Sequence, residues 1–374
     1  MIKVGITGQS GFIGTHLYNY LSLFKNDFTL IQFEDKYFET SNLLAEFVSK
    51  CDVIIHLAAV NRHYDQEEIY SKNIELVDKL ISALSFTKSK VSVLFSSSTQ
   101  ENRNNQYGRS KKEGREKLIE WAKNYKNGFI GMVIPNVFGP FGKPFYNSVI
   151  STFSYQLIND EIPKIEIDAD LNLIYVTKLC EIIRTLILNN TEKIIEEFII
   201  PHTITIRVSD ILEKLKVYKE NYIVSGIIPK LETDFDRSLF NTFRSYINYK
   251  TFYPFYYKKN EDERGIFVET MKLNIGGQVS YSTTKPGITR GNHFHTRKIE
   301  RFAVIKGNAK IQLRKYNSDE IIEFILNGND PSFVDMPVWF THNITNIGDD
   351  DLITFFWINE FYNPEDTDTY FEKV

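Results

Sequence analysis

The chain has 374 residues, 42% of them hydrophobic and 14% aromatic, which is enough apolar material for two ordinary domains with well-filled cores. A net charge of −4 argues against a nucleic-acid-binding protein and against a protein that binds anionic membranes. Cys51 and Cys180 form no pairing pattern, and no apolar run reaches the roughly 20 residues of a membrane helix. Because the chain also starts with an apolar strand rather than a signal peptide, we expect a soluble, cytoplasmic protein with free thiols.

The first segment has the pattern of a dinucleotide-binding fold. An apolar strand over residues 1–7 is followed by Gly8, Gly11 and Gly14, which open a helix. The first glycine permits a tight turn, the second lets the backbone approach a pyrophosphate, and the third lets the helix pack closely on the sheet. Glycines alone are weak evidence because turns require them, but an acid, Glu34, follows at the distance where a ribose hydroxyl is usually bound.

A serine-ended strand and a Tyr-x-x-x-Lys motif predict a reductase centre in the same fold. The strand over residues 91–95 runs into three serines, and Tyr107 and Lys111 then lie four apart on a predicted helix, so they share a face. The ammonium of such a lysine, together with the nicotinamide ribose, lowers the pKa of the phenol, which can then exchange a proton with a carbonyl that receives hydride. A serine hydroxyl would bind the same carbonyl oxygen.

Residues 246–374 are rich in short strands between turn residues, which favours a barrel or jelly roll. In this half His293 and His295 lie two apart, so both rings project to one face of a strand. Glu300 follows after a short turn, and His342 lies in the same region. Imidazoles with a carboxylate form a ligand set suited to Zn, Mn, Fe or Ni, and we predict a metal site.

The first half resembles the extended short-chain dehydrogenase/reductase family over roughly residues 1–220. The resemblance rests on the glycine spacing, on a D-x-x-x-H-L-A-A segment at 52–59, and on the Ser, Tyr and Lys positions. It implies that Ser98, Tyr107 and Lys111 form the catalytic triad and that Asn136 lies near the substrate. The implied cofactor contacts are Gly8, Gly11, Phe12, Ile13, Gly14, Glu34, Leu57, Ala58, Asn73, Tyr107 and Lys111. The chain departs from the family pattern at Gln100-Glu101 and lacks the arginine that usually precedes the asparagine.

The second half resembles the cupins and also the sugar-nucleotide 3,5-epimerases. The cupin pattern G-x5-H-x-H-x4-E-x6-G runs from Gly287 to Gly307, and the second cupin signature spans 337–346 with Trp339 in place of a glycine. This resemblance implies that one divalent metal, with zinc preferred, is bound by His293, His295, Glu300 and His342. The epimerase-like D-x-R-G-x-F-x-E and R-G-x-H motifs imply substrate contacts from Arg264, Glu269 and Arg290. His293 matches both a cupin metal ligand and the catalytic base of the epimerases. We predict that His293 is a metal ligand and leave the base unassigned.

Across its length the chain resembles bifunctional capsular polysaccharide synthesis enzymes of the CapF type. The resemblance implies a Rossmann-like doubly wound α/β domain over residues 1–245 and an all-β cupin domain over 246–374. It implies epimerisation of C3 of a UDP-2-acetamido-2,6-dideoxy-4-keto-hexose by the cupin, and NADPH-dependent reduction of C4 to UDP-2-acetamido-2,6-dideoxy-L-talose, on the route to UDP-N-acetyl-L-fucosamine. NADH stays possible because Glu34-Asp35 would repel a 2′-phosphate, while Lys36 would offset that repulsion. The rival interpretation is a simple reductase whose cupin is a non-catalytic, metal-stabilised binding or dimerisation module; a homodimer is expected in either case.

Overall fold

The computed structural model describes residues 1–190, 192–263, 265–268 and 270–374. Its contacts divide the chain into two compact units, Met1–Thr152 with Ile167–Val208, and Phe153–Glu166 with Ser209–Val374. Within the described ranges, no helix combines the length and apolar character required to span a bilayer.

The first unit is built on a parallel sheet with a smaller sheet beside it. Its strands are β1 (Ile2–Thr7), β2 (Phe28–Ile31), β3 (Val53–His56), β4 (Ser92–Ser98), β5 (Phe129–Ile134), β6 (Asn136–Phe138), β7 (Asp170–Tyr175), β8 (Ile194–Ile199) and β9 (Ile204–Arg207). The main sheet has the order β2-β1-β3-β4-β5-β8 with all neighbours parallel, and β6, β7 and β9 form the smaller sheet. The order reverses between β1 and β3, which is where doubly wound sheets bind ligands at the carboxyl ends of their strands.

Helices cover both faces of the main sheet, because its strands are apolar on both sides. The helices before residue 208 are α1 (Phe12–Ser22), α2 (Ser41–Ser49), α3 (Gln66–Thr87), α4 (Gln106–Tyr125), α5 (Val149–Ile158), which from Phe153 onward belongs to the second unit, and α6 (Val176–Asn190). One buried core lies under α1 and α6, and another lies under α2, α3 and α4. This layering confirms the predicted Rossmann-like α/β class for the first part of the chain.

The second unit combines a short helical segment with an all-β cupin fold, as predicted. Its helices are α7 (Val208–Tyr218), α8 (Asp234–Arg244) and α9 (Tyr249–Phe252). Its strands are β10 (Phe255–Tyr256), β11 (Lys259–Asp262), β12 (Gly265–Val268), β13 (Gln278–Thr284), β14 (Thr289–Phe294), β15 (Glu300–Lys306), β16 (Asn308–Lys315), β17 (Ile321–Asn327), β18 (Ser332–Met336), β19 (Phe340–Asn346), β20 (Leu352–Ile358) and β21 (Tyr370–Phe371). They form sheets of order β10-β18-β15-β20-β13 and β17-β16-β19-β14-β21, with β11 and β12 as a separate hairpin.

The helical segment is attached to the outer face of the first of these sheets by a buried polar network. Arg301 on β15 forms a bidentate ion pair with Asp335 on β18, with N–O distances of 2.7 and 3.0 Å. The Tyr222 hydroxyl donates to the same carboxylate at 2.6 Å, and the other Arg301 nitrogen donates to the carbonyl of Gly226. These contacts explain why residues from 209 onward group with the β-strands. The sequence instead predicts a limit between two domains at 245/246, and that domain limit stays a prediction.

Candidate active site and metal centre

The glycine-rich loop joins β1 to α1 at the switch point of the sheet. Gly8 has φ +69°, and a Cβ atom there would lie 2.9 Å from the backbone of Ala58. A Cβ atom on Gly14 would lie 2.2 Å from the Gly8 carbonyl oxygen, so only glycine lets the first turn of α1 pack against the loop. The helix starts at Phe12 and its N-terminal N–H groups lie beside this loop, which is the arrangement that binds a pyrophosphate.

The acids after β2 occupy different surroundings. The predicted ribose ligand, Glu34, is exposed and forms an ion pair with Lys36 at 2.7 Å. Its neighbour Asp35 accepts a hydrogen bond from Ser10 of the glycine-rich loop at 3.1 Å. Asp35 therefore lies against the loop, and the sequence prediction did not include it. Two adjacent acids look alike in a sequence, and only the course of the loop separates them.

The remaining predicted cofactor contacts line the carboxyl end of β3. Leu57 and Ala58 continue this strand with backbone hydrogen bonds to Thr7, at 3.2 Å to its carbonyl and 3.4 Å to its hydroxyl. Asn73 of α3 is buried, accepts from the Val60 N–H at 2.7 Å and donates to the Val60 carbonyl at 3.1 Å. The asparagine thus fixes the loop after β3, which places its contribution to the cofactor site in the backbone of that loop.

Tyr107 and Lys111 lie on the first turns of α4, beside the end of β4. The helix can approach the strand end because residue 108 is glycine; a Cβ atom there would lie 2.0 Å from the carbonyl oxygen of Gln100. The Lys111 Nζ atom lies 5.7 Å from the centre of the Tyr107 ring and 3.4 Å from the hydroxyl of Ser96, to which it donates. The sequence-predicted Tyr and Lys are therefore brought together on one face of the helix.

The three serines at the end of β4 differ in orientation because side chains alternate along a strand. Ser96 and Ser98 share a face, and Lys111 contacts the first of them. Ser97 lies on the opposite face, where its hydroxyl donates to Glu101. Ser98 accepts from the N–H of Gln100 at 3.2 Å, so its own hydroxyl proton can be donated elsewhere. This orientation supports Ser98 as the triad serine, which stays a prediction.

Burial sets the protonation of this centre. It lowers the pKa of the Lys111 ammonium to about 7, although the carboxylate of Glu101 opposes the change. Burial also raises the pKa of the Tyr107 phenol above its ordinary value, with a further contribution from Tyr146. The sequence predicts a lowered tyrosine pKa in the presence of the nicotinamide ribose; the groups of the protein alone raise it, because burial disfavours the phenolate.

The candidate substrate residue of this unit lies at the start of the smaller sheet. Asn136 is exposed and pairs in register with Leu173 of β7. Behind it, Gly139 packs so closely on the next helix that a Cβ atom would lie 2.4 Å from Val176. The strand end is thus fixed while the asparagine side chain faces outward, as a substrate contact requires.

In the second unit, the predicted metal ligands converge. We refer to His293, His295, Glu300 and His342 as the His/Glu cluster; one ligand atom of each lies within 4.8 Å of all the others. The Nε2 atoms of His295 and His342 both lie 3.1 Å from Oε2 of Glu300, and that of His293 lies 4.0 Å away. Three elements supply the cluster: β14 and the turn that follows it, the start of β15, and β19, whose His342 is directly opposite His293 in the ladder.

Backbone carbonyls orient two of these imidazoles. Nδ1 of His295 lies 2.5 Å from the carbonyl oxygen of Asp368, and Nδ1 of His342 lies 3.1 Å from that of Phe340. Each Nδ1 therefore carries the proton and donates it, which leaves the Nε2 lone pair directed at the cluster. Burial alone would raise the pKa of Glu300, but the imidazoles of His295 and His342 outweigh it and hold that pKa well below its usual range when Nε2 carries a proton in place of a metal. Burial lowers the pKa of His293 to about 4, so its imidazole is neutral near pH 7.

A β-bulge places Arg290 on the same face as the cluster. Residues three apart on a regular strand point to opposite faces, but the register of β14 shifts between Gly291 and His293, with φ +100° at Gly291 and +57° at Asn292. Arg290 consequently pairs with Ile344 and His293 with His342, two residues apart on β19. Its guanidinium donates to the hydroxyl of Thr284 at 3.1 Å. The other predicted substrate residues, Arg264 and Glu269, lie outside the described residues.

The departure from the cupin signature at Trp339 has a structural account. The residue has φ +63°, the left-handed conformation that the family's usual glycine supplies. Its indole is buried and stacks on Phe294 with ring centres 5.6 Å apart. The backbone N–H of Trp339 donates to the carbonyl oxygen of His295 at 2.8 Å. The tryptophan thus supports the strand that carries the histidines at the cost of a strained backbone.

The donor set fits both groups that the sequence implies. Three imidazoles and a buried carboxylate, with two Nε2 atoms oriented by their partners, match the N and O ligands of zinc and similar divalent metals. Close packing at Gly8 and Gly14 holds the N-terminus of α1 against the loop after β1, and a helix N-terminus in this position is what a dinucleotide phosphate site requires.

Known protein families match the dinucleotide-binding part and the cupin part of the chain separately. The profile of the NAD dependent epimerase/dehydratase family matches residues 4–199, and that of the polysaccharide biosynthesis C-terminal domain matches residues 260–370. A UDP-2-acetamido-2,6-beta-L-arabino-hexul-4-ose reductase of Pseudomonas aeruginosa is 31% identical over 99% of this chain and 98% of its own length. The crystal structure of the capsular polysaccharide assembling protein CapF from Staphylococcus aureus matches with a TM-score of 0.64 and 34% identity, covering 100% of both chains.

A more distant structure shares the fold alone. WbmF of Bordetella bronchiseptica in complex with NAD+ is 17% identical with a TM-score of 0.53, and the match covers 65% of this chain and 92% of that one. The fold and the residue clusters together define a protein with a dinucleotide-binding unit followed by a cupin unit. The chain belongs to the NAD dependent epimerase/dehydratase family.

Proposed function

We propose that the chain is a bifunctional sugar-nucleotide enzyme of surface polysaccharide synthesis, with a 4-keto reductase in the first unit and a 3-epimerase in the cupin. The observation that carries the proposal is the presence, in one chain, of Tyr107 and Lys111 beside a serine-ended strand and of the His/Glu cluster. The substrate we propose is a UDP-linked 2-acetamido-2,6-dideoxy-4-keto-hexose, and the product after both steps is UDP-2-acetamido-2,6-dideoxy-L-talose, which leads to UDP-N-acetyl-L-fucosamine. The full-length similarity to a reductase named for such a keto sugar supports this choice.

In the reductase centre, Tyr107 would protonate the oxygen on C4 while Ser98 donates a hydrogen bond to the same oxygen. Bound NADPH would supply the hydride. Lys111 has a pKa of about 7 in the buried site, so a nearby anionic or hydroxyl group can readily restore its charge. The charged lysine would then stabilise the tyrosinate that remains after proton transfer, which is the role that the raised pKa of Tyr107 makes necessary.

In the cupin, the ketone at C4 acidifies the hydrogen on C3, so removal of this proton and its return to the other face epimerises the carbon without any redox cofactor. A bound divalent metal, with zinc preferred, would supply positive charge to the enolate oxygen. The His/Glu cluster would hold the metal, and Arg290, on the same face, would bind the diphosphate of the nucleotide. The residue that removes the C3 proton stays unassigned.

The cofactor choice follows from the loop after β2. Lys36 forms an ion pair with Glu34 and so offsets the negative charge of this carboxylate. Released from the pair, the Lys36 ammonium would be able to contact a 2′-phosphate. Rearrangement of this exposed pair would let the lysine face the phosphate, so we propose NADPH as the working cofactor, with NADH also accepted. A homodimer in the cytoplasm completes the proposal.

The experiment incubates the full-length protein with the UDP-4-keto sugar in D2O, with and without NADPH, and follows products by NMR and mass spectrometry. We expect deuterium at C3 without NADPH, and a reduced, deuterated product with it. His295→Ala should lose the exchange and retain NADPH binding, whereas Tyr107→Phe should lose reduction and retain the exchange.

Absence of C3 exchange in the wild-type protein, with reduction intact, would refute the epimerase activity and favour a cupin that is a non-catalytic module. Loss of both activities in either single variant would refute the assignment of one activity to each unit. Exchange that survives in His295→Ala would remove the His/Glu cluster from the epimerisation.

A further inference from the structure

The segment before the end of the chain lies against both histidine-bearing strands of the cupin. In β21, Phe371 pairs with His293 and Tyr370 with Phe294. The N–H of Glu372 donates to the carbonyl of Asn292 at 2.9 Å, and the hydroxyl of Thr341 donates to the Glu372 carbonyl at 2.6 Å. These bonds connect residues 368–372 to β14 and β19 rather than to solvent.

Within this segment, the carboxylate of Asp368 closes the turn between two metal ligands. The turn, residues 296–298, lies between His295 and Glu300. The carboxylate accepts from the backbone N–H groups of residues 296, 297 and 298 at 3.1, 3.0 and 3.0 Å, and from the Thr296 hydroxyl at 2.6 Å. Asp368 is 5% exposed, so these charge-assisted bonds are shielded from water. Together with the bond from the Ile299 N–H to the Asn359 amide oxygen, this carboxylate fixes the position of His295 relative to Glu300.

The backbone of the same residue fixes the ring of His295. The Asp368 carbonyl accepts the Nδ1 proton at 2.5 Å, and this bond determines that Nε2 faces the cluster. Asp368 has φ +41°, a left-handed conformation that Asp and Asn tolerate better than other residues with a side chain. This conformation lets the carbonyl and the carboxylate of one residue reach the histidine and the turn together.

We infer that Asp368 is a positioning residue for the metal centre: it acts through His295 and the 296–298 turn to set the affinity of the His/Glu cluster for a divalent cation. The inference rests on the proposed function in that the cluster must bind a metal. Loss of a partner that orients a metal ligand typically weakens metal binding about 10- to 100-fold, and we expect an effect of this size.

The test measures Zn2+ affinity of the full-length protein by competition with a chromogenic chelator. Asp368→Gly retains the positive φ and the carbonyl to His295 but removes the carboxylate, and Asp368→Asn replaces an acceptor by an amide. Asp366→Asn is the matched control, because that carboxylate lies on the same segment but is largely exposed and pairs with Arg297. We expect about 10- to 100-fold weaker Zn2+ binding in both Asp368 variants and a change of less than about twofold in the control.

A second readout separates positioning from a general loss of stability. With Co2+ as the probe, the visible absorption bands of the folded Asp368 variants should shift, because the bands report ligand geometry. Loss of the buried hydrogen bonds by itself would lower the unfolding midpoint of the metal-free proteins without shifting these bands. Thr296→Val, which removes only the hydroxyl bond to the carboxylate, should weaken Zn2+ about fivefold and provides a test if the Asp368 variants do not fold.

Unchanged Zn2+ affinity in the Asp368 variants, or in Thr296→Val where those do not fold, would overturn the inference and leave the metal centre in place. Wild-type protein that binds no Zn2+ or Co2+ would overturn the inference and the proposed metal centre together. NADPH-dependent reduction, measured separately, shows whether the reductase part of the proposed function survives that outcome.

Discussion

Lys111 gives a prediction in which stability and activity change in opposite directions. The side chain is 3% exposed, its Nζ atom lies 5.0 Å from the centre of the Phe95 ring, and it donates one long hydrogen bond to Ser96. Burial lowers its pKa from 10.5 to about 7, against the effect of Glu101. Lys111→Met retains most of the apolar stem and removes the amine. We expect this variant to be more stable than wild type at pH 7 and inactive as a reductase.

The size and pH range of the effect follow from proton linkage. Between about pH 10.5 and pH 7 the unfolded chain binds a proton at Lys111 that the folded chain does not, so the lysine destabilises the fold increasingly as the pH falls. Below about pH 7 both states are protonated and the cost is constant. With about 1.4 kcal/mol for each pKa unit, the full cost is about 4–5 kcal/mol. Lost packing and the lost hydrogen bond to Ser96 reduce the net gain from Lys111→Met to about 2–4 kcal/mol.

The assay is urea-induced unfolding of the protein purified without cofactor, followed by circular dichroism at pH 7 and pH 9.5. Lys112→Met on the exposed side of the same helix is the control and should show no such pH dependence. The increase in the free energy of unfolding caused by Lys111→Met should have its full size at pH 7 and be clearly smaller at pH 9.5. The rate of NADPH-dependent reduction should fall at least about 10²-fold. An equal increase in stability at both pH values, or a loss of stability at pH 7, would refute the claim that burial of the Lys111 ammonium destabilises the fold.

Three other predictions follow from the two sites. Ser98→Ala should lower kcat/KM for reduction by about 10-fold or more, because in the proposed mechanism its hydroxyl donates to the C4 oxygen of the substrate. Ser97→Ala should change kcat/KM much less, because that hydroxyl donates to Glu101 on the opposite face of the strand; equal effects in a steady-state assay would contradict the assigned faces. Glu300→Gln should lower the zinc content, measured by elemental analysis after dialysis, to below about a tenth of that of the wild type. Dialysis of the wild type against a chelator should lower its zinc content to the same extent. Full retention of zinc in the variant would exclude Glu300 as a ligand. Trp339→Ala should destabilise the fold by about 3–5 kcal/mol, and Trp339→Gly by about 1 kcal/mol less, because glycine relieves the strain of the positive φ. If thermal unfolding shows a higher melting temperature for Trp339→Ala than for Trp339→Gly, the argument from backbone strain is wrong.

Much of the fold follows from local sequence pattern, because each predicted strand of the first unit is a continuous apolar run. β14 is different: its Thr-Arg-Gly-Asn-His sequence is polar and contains the bulge, so the alternation that marks a strand is broken. The fixed spacing of the histidines and the glutamate nevertheless located the His/Glu cluster, since ligand chemistry requires residue types that are rare elsewhere in the chain.

Contacts between residues far apart in sequence were not predictable. Asp368 binds the 296–298 turn across about seventy residues, and no local pattern in the sequence indicates this contact. Glu34 stays the predicted ribose contact, and the hydrogen bond from Ser10 to its neighbour Asp35 is a contact that the sequence did not indicate. In both cases the course of the backbone, which local pattern does not give, decides which side chains meet.

The bulge at Gly291–Asn292 keeps a proposed anion-binding side chain and a metal ligand on one face of a strand, although they are three positions apart. Removal of one bulge residue would leave the arginine and the histidine two positions apart on a regular strand, where they would still share a face. In comparing related cupins, a one-residue gap between these two positions therefore preserves both functions when the bulge is lost with it. A change that abolishes the bulge at unchanged strand length would instead turn Arg290 or His293 to the other face, and it offers a way to separate the two functions by design.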